Sequence, residues 1–549
     1  MGKIGVYLCE CGPNIADKVD IDQAIKELSA LKGVEVVDRH KLLCSEGGKE
    51  FLKKEIREKG LTRLVVAACS HKQHEVTFMK VCQDAGLNPY LFQLVNIREQ
   101  CAWVTPDKDE ATEKAIRCIR SAISRVQYHT ALEQKQIECN PDVLVIGGGI
   151  TGIQVSLLLA GKARKVYLVE KTSQLGGAAV KFERLFSELV SSSMIEERIA
   201  KVLENENTEV LTDSEVQEVL GFFGNFVAKI RKSGEEVELK VGAIVVATGC
   251  KLLDPGEISK YGYGRFDDIY TSLEIELMNA GGKILLKNEN PPKSVAIVHC
   301  VGREEKGYCS KICCSYSAKF PKYLRDKITD VEIHELYYDL CTSRYEMERK
   351  DVNLIRVVDI EVTEKDGNKI IQYQTEQGKK NTLSTDMVIL LPVIEPSSDV
   401  AKLAEMLNIS QDERGFFAEA HVKLNPVSTT LEGIYIAGCI QGPKDIYDSV
   451  MQSEAVAGKI LSSLVPDKKL EPEVKTSYVS EVFCTGCQTC LSVCSYSAIT
   501  YDEVRSVCVV NEVLCRGCGN CASACPSDAI SHKHFTSRQI YQELIEALR

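Results

Sequence analysis

Short apolar runs alternate with stretches of helical period along most of the chain. Residues 3–8, 34–37 and 63–67 are compact, β-branched and apolar, which predicts buried strands. Residues 22–31, 49–59 and 109–125 place apolar side chains at three- and four-residue intervals, the spacing of one helix face. Together they predict a small α/β domain over residues 1–138. Further on, Asp142-Val-Leu-Val-Ile146 and Lys165-Val-Tyr-Leu-Val-Glu170 read as strands flanking a helix that opens near Ile153. Three more apolar runs, Ala243-Ile-Val-Val-Ala-Thr-Gly249, Ser294-Val-Ala-Ile-Val-His299 and Gly433-Ile-Tyr-Ile-Ala-Gly438, extend this pattern to a large α/β region. The tail carries Ile540, Leu544, Ile545 and Leu548 at helical spacing, which predicts a helix packed on the cysteine-rich module before it.

The turn between the strands at 142 and 165 is Gly147-x-Gly149-x-x-Gly152. Glycines there allow a tight turn and a close backbone approach, the helix N-terminus attracts a pyrophosphate, and Glu170 is placed for ribose hydroxyls. The expected dinucleotide set is Gly147, Gly149, Ile150, Thr151, Gly152, Glu170, Lys171, Gly176 and Gly177. Ala247, Thr248 and Gly249 end one strand and Gly438 another, resembling the later FAD-contacting segments of thioredoxin-reductase-like flavoproteins. Cys439 stands where those flavoproteins usually carry an acid. Gly442-Pro-Lys444-Asp445 then opens a helix whose N-terminus is expected to face the flavin, so FAD is favoured over NAD.

The chain has 24 cysteines. Cys484-x2-Cys487-x2-Cys490-x3-Cys494 and Cys515-x2-Cys518-x2-Cys521-x3-Cys525-Pro526 resemble the halves of a bacterial two-cluster ferredoxin. In that module the fourth cysteine of each run ligates the other cluster. The expected sets are Cys484, Cys487, Cys490 and Cys525 on one [4Fe-4S] cluster, and Cys494, Cys515, Cys518 and Cys521 on the other. Zinc usually takes paired knuckles at one tetrahedral centre, a poor match to eight thiolates in this order. After the strand ending at His299, a second glycine-rich loop for NAD(P)H is expected, but Cys300, Cys309, Cys313 and Cys314 occupy that stretch. They predict an iron-sulfur cluster in its place. In the N-terminal domain Cys9, Cys11, Cys44 and Cys69 lie at or just past strand ends, where loops of a parallel sheet converge. They form a candidate fourth cluster set, with Cys101 or Cys82 as alternatives for one ligand. The remaining cysteines read as small buried hydrophobes, with Cys341 and Cys439 set apart as able to touch a cofactor.

Composition narrows the classes. A net charge of -11 argues against broad nucleic-acid binding, and no apolar run approaches the length of a membrane span. With no apolar N-terminal run, a reducing cytoplasmic location is expected, which also disfavours disulfides. Residues 466–475 read as a linker. The predicted organisation is residues 1–138, an FAD domain over 139–470 with an inserted cluster-bearing subdomain at about 290–390, and a ferredoxin domain over 471–549.

The Cys-Val-Gly-Arg…Tyr-Cys-Ser-x-x-Cys-Cys-x-Tyr segment from Cys300, Gly-Pro-Lys-Asp-Ile446 and the tandem ferredoxin runs together resemble the A subunit of heterodisulfide reductase. So do Leu8-Cys9-Glu-Cys11-Gly, Cys44-Ser-Glu46, Cys69-Ser70 and Asn96-Ile-Arg-Glu-Gln-Cys101-Ala-Trp103. The resemblance covers nearly the whole chain. One departure is that residues 175–241 contain no cysteine, whereas some members of the family carry another ferredoxin module inserted in the flavin domain. The resemblance implies an α/β thioredoxin-reductase-like FAD domain, a small N-terminal α/β domain and an α+β ferredoxin domain. It implies an oxidoreductase component that exchanges electrons between FAD and [4Fe-4S] clusters and bifurcates or confurcates them. Lys319 and Lys444 are then the expected catalytic cations near the flavin. Implied partners are HdrB/HdrC-like and other electron-transfer subunits and a soluble ferredoxin, in a dimer of a hetero-oligomeric complex without nucleic acid or membrane span. A stand-alone NAD(P)H-dependent flavin oxidoreductase and a non-catalytic iron-sulfur scaffold or redox sensor are the alternatives.

Overall fold

The computed structural model describes residues 2–178, 192–341 and 351–549. They form two compact units, one of residues 138–470 and one joining 1–137 to 471–549. The sequence predicts three domains, and the difference arises at a surface that carries no motif. The C-terminal helix, expected on the ferredoxin module, packs chiefly on the helix Lys108–Val126 of the N-terminal part. There Arg125 Nη1 reaches Glu543 at 2.6 Å and Arg120 Nε reaches Glu546 at 3.7 Å.

In the N-terminal part, β1 (Ile4–Cys9), β2 (Val34–His40), β3 (Arg63–Ala68) and β4 (Phe92–Asn96) form a parallel sheet in the order β2-β1-β3-β4. Every residue of β1 is buried, as expected of a central parallel strand covered on both faces. Helices α1 (Ile21–Ser29), α2 (Glu46–Glu58), α3 (His71–Asp84) and α4 (Lys108–Val126) begin at Asp20, Ser45, Ser70 and Asp107, whose side chains accept first-turn amides. Ser45 and Ser70 directly follow Cys44 and Cys69, so the caps fix both cysteines in turns that enter helices.

The other unit contains two parallel sheets. β5 (Val143–Ile146), β6 (Val166–Val169), β7 (Thr208–Leu211) and β8 (Ala243–Val246) belong to the first. β9 (Ile269–Thr271), β10 (Ser294–Val301), β11 (Glu332–Tyr337), β12 (Asn353–Arg356) and β13 (Met387–Pro392) form the second. β14 (Ile434–Ile436) returns to the edge of the first sheet. The orders are β14-β8-β5-β6-β7 and β9-β13-β10-β11-β12, and each sheet has an antiparallel meander inserted before its fourth or fifth strand in the chain, residues 214–241 and 359–385. The two sheets repeat one design, with β5 and β10 at the centre. The second begins at β9, earlier than the expected start near residue 290, because a three-residue edge strand is too short to show a period.

The cysteine-rich C-terminal part consists of two short antiparallel ribbons, Ser477–Val479 with Ile530–His532 and Ile499–Asp502 with Val507–Val510. Among the described residues no helix is long and apolar enough to cross a membrane.

Candidate functional site

β5 turns through Gly147-Gly148-Gly149 into helix α5 (Ile150–Leu159). A Cβ on Gly152 would stand 1.9 Å from the Gly147 carbonyl oxygen, so the turn itself excludes any side chain there. Gly149 is different, since among the described residues nothing lies within 4 Å of where its Cβ would be. It precedes α5 without a side-chain cap, which leaves first-turn amides directed at open space, the setting that binds a pyrophosphate. Glu170 accepts from the Gly148 amide at 2.8 Å with one oxygen and from the Thr172 amide at 2.8 Å with the other. A carboxylate so held keeps lone pairs for ribose hydroxyls. Gly176 donates to Gly148 O at 2.8 Å, and Gly177 packs on Gly149. At the end of β8, among the described residues, the buried Thr248 hydroxyl has no protein partner and Gly249 also faces open space. These residues fit a dinucleotide. Lys171 Nζ, by contrast, is committed to Asp399 at 2.6 Å.

β8 and β14 pair in parallel with Val246 opposite Ile436, so the loops that follow them emerge side by side. Gly438 lies against Thr151 of α5, and its amide donates to Gln452 Oε1 at 2.8 Å. Cys439 Sγ donates to the Lys444 carbonyl at 3.1 Å, and the neighbouring Cys250 thiol lowers the pKa of Cys439 while its own is raised by that contact and by burial. Asp445 caps helix α9, which follows α6 (Ser272–Ala280), α7 (Cys313–Ser317) and α8 (Phe320–Lys327) and spans Ile446–Ser463; its carboxylate accepts from the Asp448 amide at 2.7 Å. Lys444 is half-buried just before it, and burial lowers its pKa.

At the same place in the second sheet, β10 shifts register against β13 between Val298 and Val301, and Cys300 adopts φ +60°. The chain thus leaves the sheet through a cysteine, and α7 brings Cys313 and Cys314 back to it. Cys313 hydrogen-bonds both Cys309 and Cys314. That contact, with help from the Lys311 amide and Cys341, pulls the Cys309 thiol down to about 5. Cys314 falls to about 4, first through Cys313 and then through His299, whose Nδ1 lies 3.7 Å from its Sγ. Cys300, raised by burial, completes the group. Cys341 Sγ stands 3.7 Å from Cys309 Sγ, so five thiols converge where four ligands are needed. Lys319, nearby in sequence, is 3% exposed with its Nζ 2.6 Å from Glu276, itself 4% exposed.

In the unit of both termini, Cys484, Cys487, Cys490 and Cys525 line one small cavity together with Cys508. Cys521 neighbours Cys515 and Cys494, and Cys518 lies exposed on the same loop. Cys494 and Cys525 each accept an amide four residues on, from Ala498 and Ala529, both at 3.3 Å, which makes the two halves equivalent. Cys9 neighbours Cys11 and Cys44, and Cys44 neighbours Cys69. Arg98 Nη1 points at Cys11 Sγ at 3.9 Å. Cys101 pairs with Cys118 instead, and Cys82 is fully buried inside α3 with its thiol pushed up to about 12. Among the described residues no group of three or more His, Cys, Asp or Glu is spaced for a single metal ion. Four thiols to a set is the donor chemistry that a [4Fe-4S] cluster takes.

From spacing alone Cys118, Cys250 and Cys508 read as isolated hydrophobes and Cys101 as an alternative ligand, and the structure instead sets each beside another thiol. Cys250 contacts Cys439, Cys101 contacts Cys118, and Cys508 contacts Cys490. Residues on different strands or helices leave no spacing to read. The position of Cys250 directly after Ala-Thr-Gly249, matching Cys439 on the neighbouring strand, is the one signal that was available. His299 and Glu335 were missed as well; both interrupt apolar alternation on their strands.

Residues 141–453 match the pyridine nucleotide-disulphide oxidoreductase family and residues 483–529 the 4Fe-4S dicluster domain. The second iron-sulfur A subunit of CoB–CoM heterodisulfide reductase from Methanopyrus kandleri is 34% identical over 601 aligned positions, covering 91% of each chain. The A subunit of the H2:CoB-CoM heterodisulfide,ferredoxin reductase from Methanothermobacter thermautotrophicus is 34% identical over 600 positions with the same coverage. Both alignments are longer than the 549 residues of this chain, so the relatives carry insertions relative to it. Among solved structures, T. acidophilum thioredoxin reductase is 13% identical with a TM-score of 0.42, covering 59% of this chain and 99% of its own. The glycine turn, the ferredoxin runs and the family matches agree: the chain belongs to the family of heterodisulfide reductase A subunits, oxidoreductases with an FAD domain of the pyridine nucleotide-disulphide oxidoreductase type and [4Fe-4S] clusters.

Proposed function

We propose that this chain is the flavin-bearing electron-transfer component of a heterodisulfide-reductase-type complex, linking FAD to four [4Fe-4S] clusters. The observation that carries this reading is the cysteine group at the end of β10, in the place where β5 of the first sheet has its glycine turn. FAD supplies a carrier that takes electrons in pairs and releases them singly, and each cluster one that cycles through a single electron. Gly147, Gly149, Gly152 and the first turn of α5 hold the pyrophosphate, and Glu170 the ribose. Ile150, Thr151, Gly176, Gly177 and the Ala247-Thr248-Gly249 turn complete the cradle, with Gly438, Cys439 and Asp445 from the β14 side.

Cys300, Cys309, Cys313 and Cys314 hold the cluster nearest the flavin in the chain's order of domains. Cys484, Cys487, Cys490 and Cys525, and Cys494, Cys515, Cys518 and Cys521, hold the ferredoxin pair. Cys9, Cys11, Cys44 and Cys69 hold the fourth. Lys444, its charge disfavoured by burial, is the stronger candidate for a cation acting on the flavin; Lys319 already neutralises Glu276. The partners are HdrB/HdrC-like subunits and a soluble ferredoxin, between which electron pairs are bifurcated or confurcated, and the complex is a dimer of hetero-oligomers.

Purification of the native complex with iron and flavin counted per chain tests this reading. About sixteen irons and one flavin are expected, with ferredoxin reduction coupled to an exergonic acceptor. About twelve irons would remove the N-terminal cluster. Bleaching of the flavin by NADH or NADPH in the isolated chain would replace the reading with a self-contained pyridine-nucleotide oxidoreductase.

A further inference from the structure

Two polar residues sit where the second sheet calls for apolar ones. Along β10, Val295 and Ile297 face one apolar core, and His299 follows on the same face by the two-residue period of a strand. On β11, Ile333 faces that core and Glu335 follows it; Glu335 is paired in register with Ile297, which makes it the diagonal neighbour of His299. Both side chains are wholly buried, with Nε2 3.3 Å from a Glu335 carboxylate oxygen. Burying an imidazole and a carboxylate in such a core is costly unless they are paired, and apolar residues of similar volume would serve the fold as well. The ring's other nitrogen, Nδ1, points at Cys314 Sγ, 3.7 Å away, within reach of a large sulfur acceptor.

We propose that His299 is a positioning residue for the iron-sulfur site: Nδ1–H donates a hydrogen bond to Cys314 Sγ, Glu335 packed 3.3 Å from Nε2 fixes the place of the ring, and the donated bond raises the cluster's reduction potential. A ligating cysteine is a thiolate and can only accept, so the ring nitrogen that faces it, Nδ1, is the donor. Reduction adds negative charge that spreads onto the cluster's sulfurs. A hydrogen bond to one of those sulfurs is stronger in the reduced state and favours it, which is how such bonds set cluster potentials. This inference rests on the reading of Cys300, Cys309, Cys313 and Cys314 as cluster ligands.

The test is a redox titration of the intact complex followed by electron paramagnetic resonance, with iron counted for each variant. His299→Leu is expected to disfavour the reduced cluster about tenfold, a shift of about 59 mV to more negative potential, while the ferredoxin clusters keep theirs. The double variant His299→Leu/Glu335→Leu removes both buried polar side chains together, and the same downward shift is expected from it. His299→Gln keeps an N–H donor and is expected to recover most of the potential. Full iron content with an unmoved potential in the single and double leucine variants would overturn the inference, as would an equal loss of potential in His299→Gln. Failure of the underlying reading looks different: Cys314→Ser would then leave iron content unchanged.

Discussion

The two parallel sheets of residues 138–470 share the order of four of their five strands, the place of the central strand and an antiparallel meander, yet they end their central strands in opposite chemistry. β5 runs into glycines whose missing side chains leave a helix N-terminus open to an anion. β10 runs into Cys300, held at φ +60° beside Gly302 at φ +84°, and a helix that presents sulfur in place of backbone amides. A nucleotide-binding crevice needs absence of bulk, whereas a cluster needs ligands that converge from several segments. Cysteines from the strand end, the following loop and α7 supply that convergence. On the proposed reading, the same scaffold serves a carrier of electron pairs in one half and a carrier of single electrons in the other.

The largest expected effect breaks the second half. Cys314→Ser removes the thiol nearest His299, and iron content is expected to fall by about four per chain while flavin content holds. Loss of flavin with iron retained would reverse the roles assigned to the sheets. A smaller change breaks the first half. Gly149 has an ordinary φ of -75° and open space around its Cβ position, so Gly149→Ala should leave the thermal unfolding midpoint in place. The added methyl group would crowd the pyrophosphate, and overpacking of that kind costs about 1–3 kcal/mol, or about 10–100-fold in FAD affinity by fluorescence titration. Gly152→Ala is the contrast, because its Cβ would meet a carbonyl oxygen at 1.9 Å and must disturb the turn itself.

Much of this comparison was legible in the residues. The glycine turn, the acid at Glu170 and the ferredoxin runs depend on local spacing, which sequence preserves. The replacement of a nicotinamide loop by Cys300, Cys309, Cys313 and Cys314 could be read because the strand before it was visible. What could not be read depends on contacts between distant segments. Cys341 joins Cys309 across 32 residues, Cys250 meets Cys439 from another strand, and Glu335 reaches His299 by strand register. The placement of the C-terminal helix on α4 failed for the same reason, since an apolar stripe says that a helix packs but not on what.

Cys341 sharpens the comparison at intermediate size. Five thiols surround a site that needs four, and Cys309 is the one that touches both Cys313 and Cys341. Cys341→Ser is expected to keep the iron count and to change only the cluster's spectrum. A drop of about four irons would make Cys341 a ligand and displace one of the assigned four.

The smallest effect separates the cysteines of the first sheet from those of the second. Cys439 is lowered by the neighbouring Cys250 thiol, so its thiolate forms at a pH below that of an ordinary cysteine. Cys250→Ala removes that thiol, and the pH at which Cys439 is half-deprotonated should move up. Measured as alkylation rate against pH in flavin-free protein, the wild type should react faster on the low-pH side, and the two curves should meet once pH exceeds both values. Iron content should stay the same in both proteins, because the proposed cluster sets do not include this pair. An iron loss in Cys250→Ala comparable to that in Cys314→Ser would mean that sulfur ligation extends into both halves, and the division between an amide-lined crevice and a thiolate-lined one would fail.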